Sequence, residues 1–309
     1  MAGGPAVWAG ANAYLQPSPR PVLSIGNFDG VHRGHRALLD RAGALARQLR
    51  APLAVLTFDP LPIAVLRPDL APPRVQTLGD RIRCLGEAGV DHVIVETFDT
   101  TLAAMPPDLF ARAIVGCVDP SAFVLGWDFR YGRGRAGDPA TLSAVTGVPV
   151  EIFGPWLEAD SPASSSRIRS AVTDGDVAAA AALLGRPHEV VGVVVTGAAL
   201  GRTIGFPTAN VRTETELLPR DGVYAVTLSV GSGRPLPAVA NLGVRPTVTG
   251  SGERRLEVHV LDWSGELVGA HVRVAFVARL RDERRFDGLP ALVAQIQADA
   301  AAARAIFAP

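Results

Sequence analysis

Two histidines three residues apart, His32 and His35, stand in the stretch I-G-N-F-D-G-V-H-R-G-H, where Gly26, Gly30 and Gly34 space out Asn27, Phe28 and Asp29. Imidazole N–H groups and glycine amides suit a phosphate, because donors approach it closely with no Cβ in the way. Upstream, Pro21–Ile25 is a short apolar, β-branched run that reads as a buried strand. Downstream, Ala37, Leu38, Leu39, Ala42, Leu45, Ala46 and Leu49 recur at helical spacing. A strand that turns into a helix in this way aims bare N–H groups and the positive dipole end at one spot, where an anion binds. Spacing alone leaves two readings: a phosphate site, or a turn with two surface histidines.

Three further stretches carry reactive groups. Gly126–Asp138 sets Arg130, Arg133 and Arg135 among four glycines, either as a cationic loop beside Asp128 and Phe129 or as a solvated hairpin. Ser164, Ser165 and Ser166 precede Arg167 and Arg169; consecutive hydroxyls at a helix start either cap it or hold a phosphate. In Gly197–Asn210, Gly197 and Gly201 are placed to wrap phosphates through backbone N–H groups. Thr208 and Asn210, two apart in an extended segment, point to one side and can share a Mg²⁺ ion through oxygen. Alternation along Leu256–Leu261 puts Leu256, Val258 and Val260 on one face, with Glu257 and His259 on the other. Such a carboxylate is either a base for a substrate hydroxyl or a solvent-facing residue on a strand.

The elements that must hold these groups divide the chain in two. Its 309 residues suffice for two buried cores, with 48 % apolar and 19 % charged residues. Arg-plus-Lys and Asp-plus-Glu balance at 30 each, so no basic field speaks for nucleic acid. Every basic residue of the first kind is arginine, which excludes a G-x-x-x-x-G-K-[ST] phosphate loop and lysine nucleophiles. Cys84 and Cys117 lack metal-ligand spacing and read as reduced thiols. No signal-peptide pattern or membrane-length apolar run is present, so a cytoplasmic protein without membrane partners is expected.

Strand-like and helical stretches alternate through the first half: Leu53–Phe58, Arg81–Ala88, Val90–Glu96, Pro107–Val115 and Ala122–Leu125. That alternation predicts a doubly wound α/β domain with a parallel sheet, whose ligands bind beyond the carboxyl ends of its strands. Asp174–Leu184 predicts an alanine-rich helix closed by Gly185, where we place the boundary between domains 1–185 and 186–309. From Val190 to Val277 short β-runs alternate with Gly/Pro turns, the pattern of an antiparallel barrel or sandwich, and Leu289–Phe307 predicts a terminal helix.

The segment G-N-F-D-G-V-H-R-G-H resembles the HxGH nucleotidyltransferase signature as it occurs in bifunctional riboflavin kinase/FMN adenylyltransferases. G-W-D-F-R-Y-G and S-S-S-R-I-R resemble that family's next two motifs, with Tyr131 where Phe is usual and Ser166 where Thr is. Gly197–Asn210 with its P-T-A-N, Pro219–Tyr224, Asn241–Thr247 and Arg255–Asp262 resemble its riboflavin kinase module. The resemblance implies an N-terminal Rossmann-like nucleotidyltransferase domain followed by a C-terminal β-barrel. It implies ATP as co-substrate, Mg²⁺ on Thr208 and Asn210, and riboflavin, FMN and FAD as substrate and products. Glu257 is the implied kinase base, with Gly197, Gly201, Arg202, Phe206, Pro207 and Asn241 around its nucleotide. The implied adenylyltransferase residues are His32 and His35, the loop residues Gly26, Asn27, Phe28, Asp29, Gly30 and Gly34, and Asp128, Phe129, Arg130, Ser164, Ser165, Ser166, Arg167 and Arg169.

Two departures stand out. The family's P-H-P is Pro60-Leu61-Pro62 here, and its L-Y-G is Leu267-Val268-Gly269. The first motivates an alternative, a kinase whose adenylyltransferase half has weakened or been lost; another is a flavin- or nucleotide-binding regulator without turnover. Small-molecule substrates and a monomer or weak homo-oligomer complete the expectation.

Overall fold

The computed structural model describes residues 4–15, 18–197, 205–231, 233–245 and 253–308. It divides into two compact units, one of Met1–Pro73 with Leu78–Ser164, the other of Arg74–Thr77 with Ser165–Pro309.

The first unit is built on a six-stranded parallel sheet: β1 (Ala6–Ala9), β2 (Val22–Ile25), β3 (Leu53–Asp59), β4 (His92–Thr97), β5 (Ala122–Gly126) and β6 (Val150–Phe153). The order is β1-β4-β3-β2-β5-β6. All of β2 is buried, as a parallel strand covered on both faces must be. One face packs Leu23, Ile25, Leu56, Ile94, Phe123 and Leu125. The other packs Val22, Val55, Val93 and Val124 against α1 (Arg33–Leu49) and α2 (Leu78–Glu87). α1 gives Leu38, Leu39, Ala42 and Ala46 to that core, the stripe its spacing predicts. The chain leaves β2 for β3 on one side and meets β5 on the other, so strand order reverses between β2 and β5. At that switch point the loops after two neighbouring strands part and open a crevice.

Details depart from the sequence reading. β1 was not expected; it pairs in parallel with β4 from Ala6↔His92 to Ala9↔Val95. Val90–Glu96 becomes a strand from His92, and Pro107–Val115 holds a π turn over Ala111–Val115. Asp138 caps α3 (Pro139–Thr146) in a reciprocal capping box with Thr141. A two-residue-per-strand hairpin, β7 (Leu157–Glu158) and β8 (Ser161–Pro162), follows β6.

In the second unit α4 (Ser165–Asp174) and α5 (Val177–Leu184) precede β9 (His188–Val195), β10 (Ala209–Thr213), β11 (Gly222–Val230), β12 (Leu236–Arg245), β13 (Glu253–Val260) and β14 (His271–Arg281). These six strands close into an antiparallel barrel in the order β10-β13-β12-β11-β14-β9, which decides between barrel and sandwich. Strict alternation along β9 buries His188, Val190, Gly192 and Val194. The terminal helix, α6 (Leu289–Phe307), seats Ala300 and Ala303 against Ala225 and Leu261 on the barrel's outside. Arg281 clamps the nearly buried Asp299 of α6 through Nη2–Oδ2 at 2.7 Å and Nε–Oδ1 at 3.0 Å.

Candidate functional sites

In the first unit the loop after β2 forms a compact bend rather than an open turn. Gly26 N–H closes the ladder on Leu56 O at 3.1 Å, and Val31 N–H returns to Phe28 O at 3.1 Å. Phe28, Asp29 and Val31 are buried, and Gly30 takes a positive φ of 90° that glycine supplies without strain. His32 is the N-cap of α1: its Nδ1 accepts from His35 N–H at 3.3 Å. The two imidazoles stack with centroids 3.6 Å apart and planes 17° from parallel, and Phe28 packs on His35 at 5.0 Å. Gly34 permits this, since a Cβ there would lie 3.2 Å from two atoms of the His32 ring. Burial, reinforced by His32, holds the His35 pKa well below the ordinary imidazole range, so His35 is neutral at pH 7. Its Nδ1 is buried and finds no hydrogen-bond partner among the described residues.

The arginine-rich loop starts at the carboxyl end of β5, so it and the histidine loop leave adjacent strands of the switch point. It is tied down rather than free. Tyr131 is buried, pairs with Gly137 in an isolated bridge, and stacks on Phe129 at 5.7 Å. Gly137 must lack a Cβ because the Tyr131 ring occupies that space. Asp128 and Arg130 stay exposed, and Arg130 reaches Asp138 at 3.3 Å. Ser164 ends the first unit, while Ser165, Ser166, Arg167 and Arg169 lie on the first turns of α4, anchored by buried Ile168.

In the barrel, register rather than sequence proximity assembles the polar row. Glu257 on β13 pairs with Asn210 on β10 and with Asn241 on β12, so an amide flanks the carboxylate on each side. Asn241 Nδ2 donates to Glu283 Oε1 at 3.1 Å, holding the second amide from outside. His259, next along the face, binds Pro207 O through Nδ1 at 2.8 Å and meets Phe206 edge-on at 5.4 Å. A cavity of about 500 Å³ opens beside this row, lined by Gly197, Thr208 and Asn210 with Val194, Val258, Val260 and the segment Trp263–Val268. Glu257 is not among its described lining residues, so the carboxylate stands beside this cavity and not over it. Gly197 lies so close to Asn210 that any Cβ would overlap the amide. Gly201 and Arg202 fall outside the described residues.

Comparison with known proteins bears on the whole chain. Residues 16–167 match the FAD synthetase family model and residues 184–307 the riboflavin kinase model. The bifunctional riboflavin kinase/FMN adenylyltransferase of Escherichia coli K12 is 41 % identical over 300 residues, 96 % of each chain. The chain belongs to that family. The Bacillus subtilis protein of the same description is 35 % identical across 91 % of this chain and 90 % of its own. The crystal structure of a Streptococcus pneumoniae protein described as a macrolide-efflux protein superposes with a TM-score of 0.86 at 30 % identity, covering 96 % of this chain and 98 % of that one. Among the described residues no helix is long and apolar enough to cross a membrane.

Set against the family's motifs, Leu61 is buried at the start of the short helix Pro62–Leu66. Tyr131 fills its phenylalanine position with the ring, while its hydroxyl makes one long contact to Thr141 Oγ1 at 3.5 Å. Val268 is exposed at the cavity rim. Sequence reasoning missed Glu283, which only the fold brings to Asn241, and Arg81, whose charge within an apolar helical stripe was the available signal.

Proposed function

We infer that the chain phosphorylates riboflavin and then adenylylates the FMN it has made. The observation that carries this reading is that one chain spans both family models, over residues 16–167 and 184–307. We assign the first activity to residues 186–309 and the second to residues 1–185. In the barrel, the ribityl 5′-hydroxyl oxygen attacks the γ-phosphorus of ATP, the bond to the β-phosphate oxygen breaks, and ADP leaves. Glu257 takes the hydroxyl proton, and the amides of Asn210 and Asn241 fix where that carboxylate stands. Thr208 and Asn210 offer two neutral oxygens at the cavity wall, a donor set that fits a hard cation, and they would hold Mg²⁺ there. The ion supplies charge neutralisation on the triphosphate when bound.

In the parallel-sheet unit an FMN phosphate oxygen attacks the α-phosphorus of a second ATP, and pyrophosphate leaves from the broken α–β bridge. No covalent enzyme intermediate is needed, because positioning and charge stabilisation suffice for this transfer. Neutral His35 serves as a hydrogen-bonding group rather than a cation, with the bare N–H groups of the first turn of α1 supplying positive potential. Asp128, Phe129 and Arg130 line the other side of the crevice. We take the protein to be cytoplasmic, and a monomer or weak homo-oligomer.

Incubation of pure protein with riboflavin and Mg-ATP, followed by chromatography, is expected to show FMN and then FAD; the absence of both products refutes the reading. Glu257→Ala should abolish FMN formation and spare FAD formation from supplied FMN, and His32→Ala should do the reverse. Buried Leu61 in place of the family's histidine favours one second reading, a kinase alone, which FMN accumulation without FAD would establish.

A further inference from the structure

Among the described residues Arg81 is the largest fully buried side chain, with 0 % exposure. A buried guanidinium is costly unless its donors are matched, and here bonds from its two terminal nitrogens converge on one place. Nη1 donates to Asn27 O at 3.2 Å, to Thr57 Oγ1 at 3.2 Å and to Phe58 O at 2.7 Å. Nη2 reaches Asp59 Oδ1 at 3.2 Å. Thr57 Oγ1 in turn donates to Asn27 O at 3.1 Å.

These acceptors lie where the β2–β3 ladder stops. Register runs to Ile25↔Leu56, Gly26 N–H makes the last bond to Leu56 O, and then the two strands splay. This parting lies one strand away from the β2/β5 switch point, and it strips backbone carbonyls of ladder partners. Arg81, reaching up from α2, replaces the missing ladder donors on both sides of the split. The carbonyl it grips on the β2 side belongs to Asn27, which opens the loop leading to His32.

We propose that Arg81 is a positioning residue for adenylyl transfer: an internal wedge that holds the histidine loop open against β3, with Thr57 as its bridge. Being sealed from solvent, Arg81 touches no substrate, and Asp59 offsets its charge. Its effect passes through backbone placement, so it acts on turnover more than on ATP affinity. The proposal rests on the adenylyltransferase reading of the first unit.

The test measures FAD formation from FMN and ATP alongside FMN formation from riboflavin and ATP, on full-length wild type, Arg81→Gln, Arg81→Lys and Thr57→Val. Barrel activity reports on folding of the second unit in each preparation, and near-UV circular dichroism reports on the first. A misplacement of up to an ångström costs on the order of 100-fold. Arg81→Gln is therefore expected to lose about 30- to 100-fold in kcat for FAD formation, with KM for ATP within about three-fold. Arg81→Lys, which keeps a charged donor, should recover most of that loss, and Thr57→Val should fall by about five-fold. Kinase rates should match wild type throughout. Wild-type kcat in a folded Arg81→Gln overturns the proposal, and should that variant fail to fold, Thr57→Val decides: wild-type kcat there overturns it. A rise in KM for ATP with unchanged kcat also overturns it, since that is the mark of a substrate contact. Wild-type protein that makes FMN but no FAD refutes the adenylyltransferase reading itself, an outcome separate from any variant's behaviour.

Discussion

Gly197→Ala isolates the catalytic role of one side chain with a single methyl group. Gly197 does not have the positive φ that would strain an alanine, so the backbone accepts the change. What the new Cβ meets is the Asn210 side chain, at a separation no real pair of atoms adopts. Overpacking of this kind costs about 1–3 kcal/mol if nothing moves. Asn210 sits at the wall of an open cavity, so it turns aside and most of that cost is relieved. The penalty then appears in catalysis, because the turned amide no longer stands beside Glu257 or presents its oxygen with that of Thr208. Removing one charge-assisted hydrogen bond from a transition state costs about 1.5–3 kcal/mol, or roughly ten- to 150-fold in rate at about 1.4 kcal/mol per decade. The assay is steady-state riboflavin phosphorylation, with FAD formation from supplied FMN as the internal control on the same preparation. A double-mutant cycle with Asn210→Ala completes it: the pair should be no worse than Asn210→Ala alone, because both changes remove the same amide. Kinase kcat/KM within two-fold of wild type in Gly197→Ala, or full additivity in the cycle, would refute the reasoning.

Three further outcomes follow from the geometry. Gly34→Ala presses on the His32 ring and loosens its cap on His35 N–H, so FAD formation should fall about ten-fold while FMN formation stays level. Burial lowers the pKa of His188 from 6.5 to about 4, so the unfolded chain binds a proton that the folded chain refuses between those values. Stability is therefore full above pH 6.5 and falls as pH drops toward 4, by up to about 3 kcal/mol; His188→Gln should flatten that limb of the Tm–pH profile, and parallel profiles would count against it. Asp299→Ala leaves Arg281 without its clamp on α6 and should cost about 3 kcal/mol in thermal or urea unfolding; a decrease below about 1 kcal/mol would mean that solvent already screens the pair.

How much of this was legible beforehand depended on the range of the interactions involved. The strand–turn–helix from Val22 to Leu49 was plain, because a fully buried strand and a helix with one apolar stripe leave opposite, unmistakable periodicities. β1 and β6 were missed for the same reason: each is four residues long, and exposed Val7 and Ile152 break the pattern of a buried run. Asp138-Pro139 before Thr141 was a readable capping signal for α3 that went unused. The alternation that lifts Glu257 off the apolar face needs only its own strand. Its flanking by Asn210 and Asn241 is set by barrel register between distant segments, which no local pattern records. Arg81 stood out as a charge within an apolar helical stripe, but its spacing does not show which acceptors the fold brings to it.

The amino-terminal strand has a consequence for how the first unit assembles. β1 has nothing to pair with until β4 exists, and Trp8 finds its hydrogen-bonded partner His92 84 positions further along. Closing so wide a loop is slow relative to joining β2 to β3, so β1 docks after that pair has formed. During synthesis the rim of β4 waits uncovered, and the brief A-V-W-A segment acts as its sealing strip against stray strands from other chains. Deleting that segment would be felt as precipitation of nascent protein more than as a defect in nucleotide chemistry.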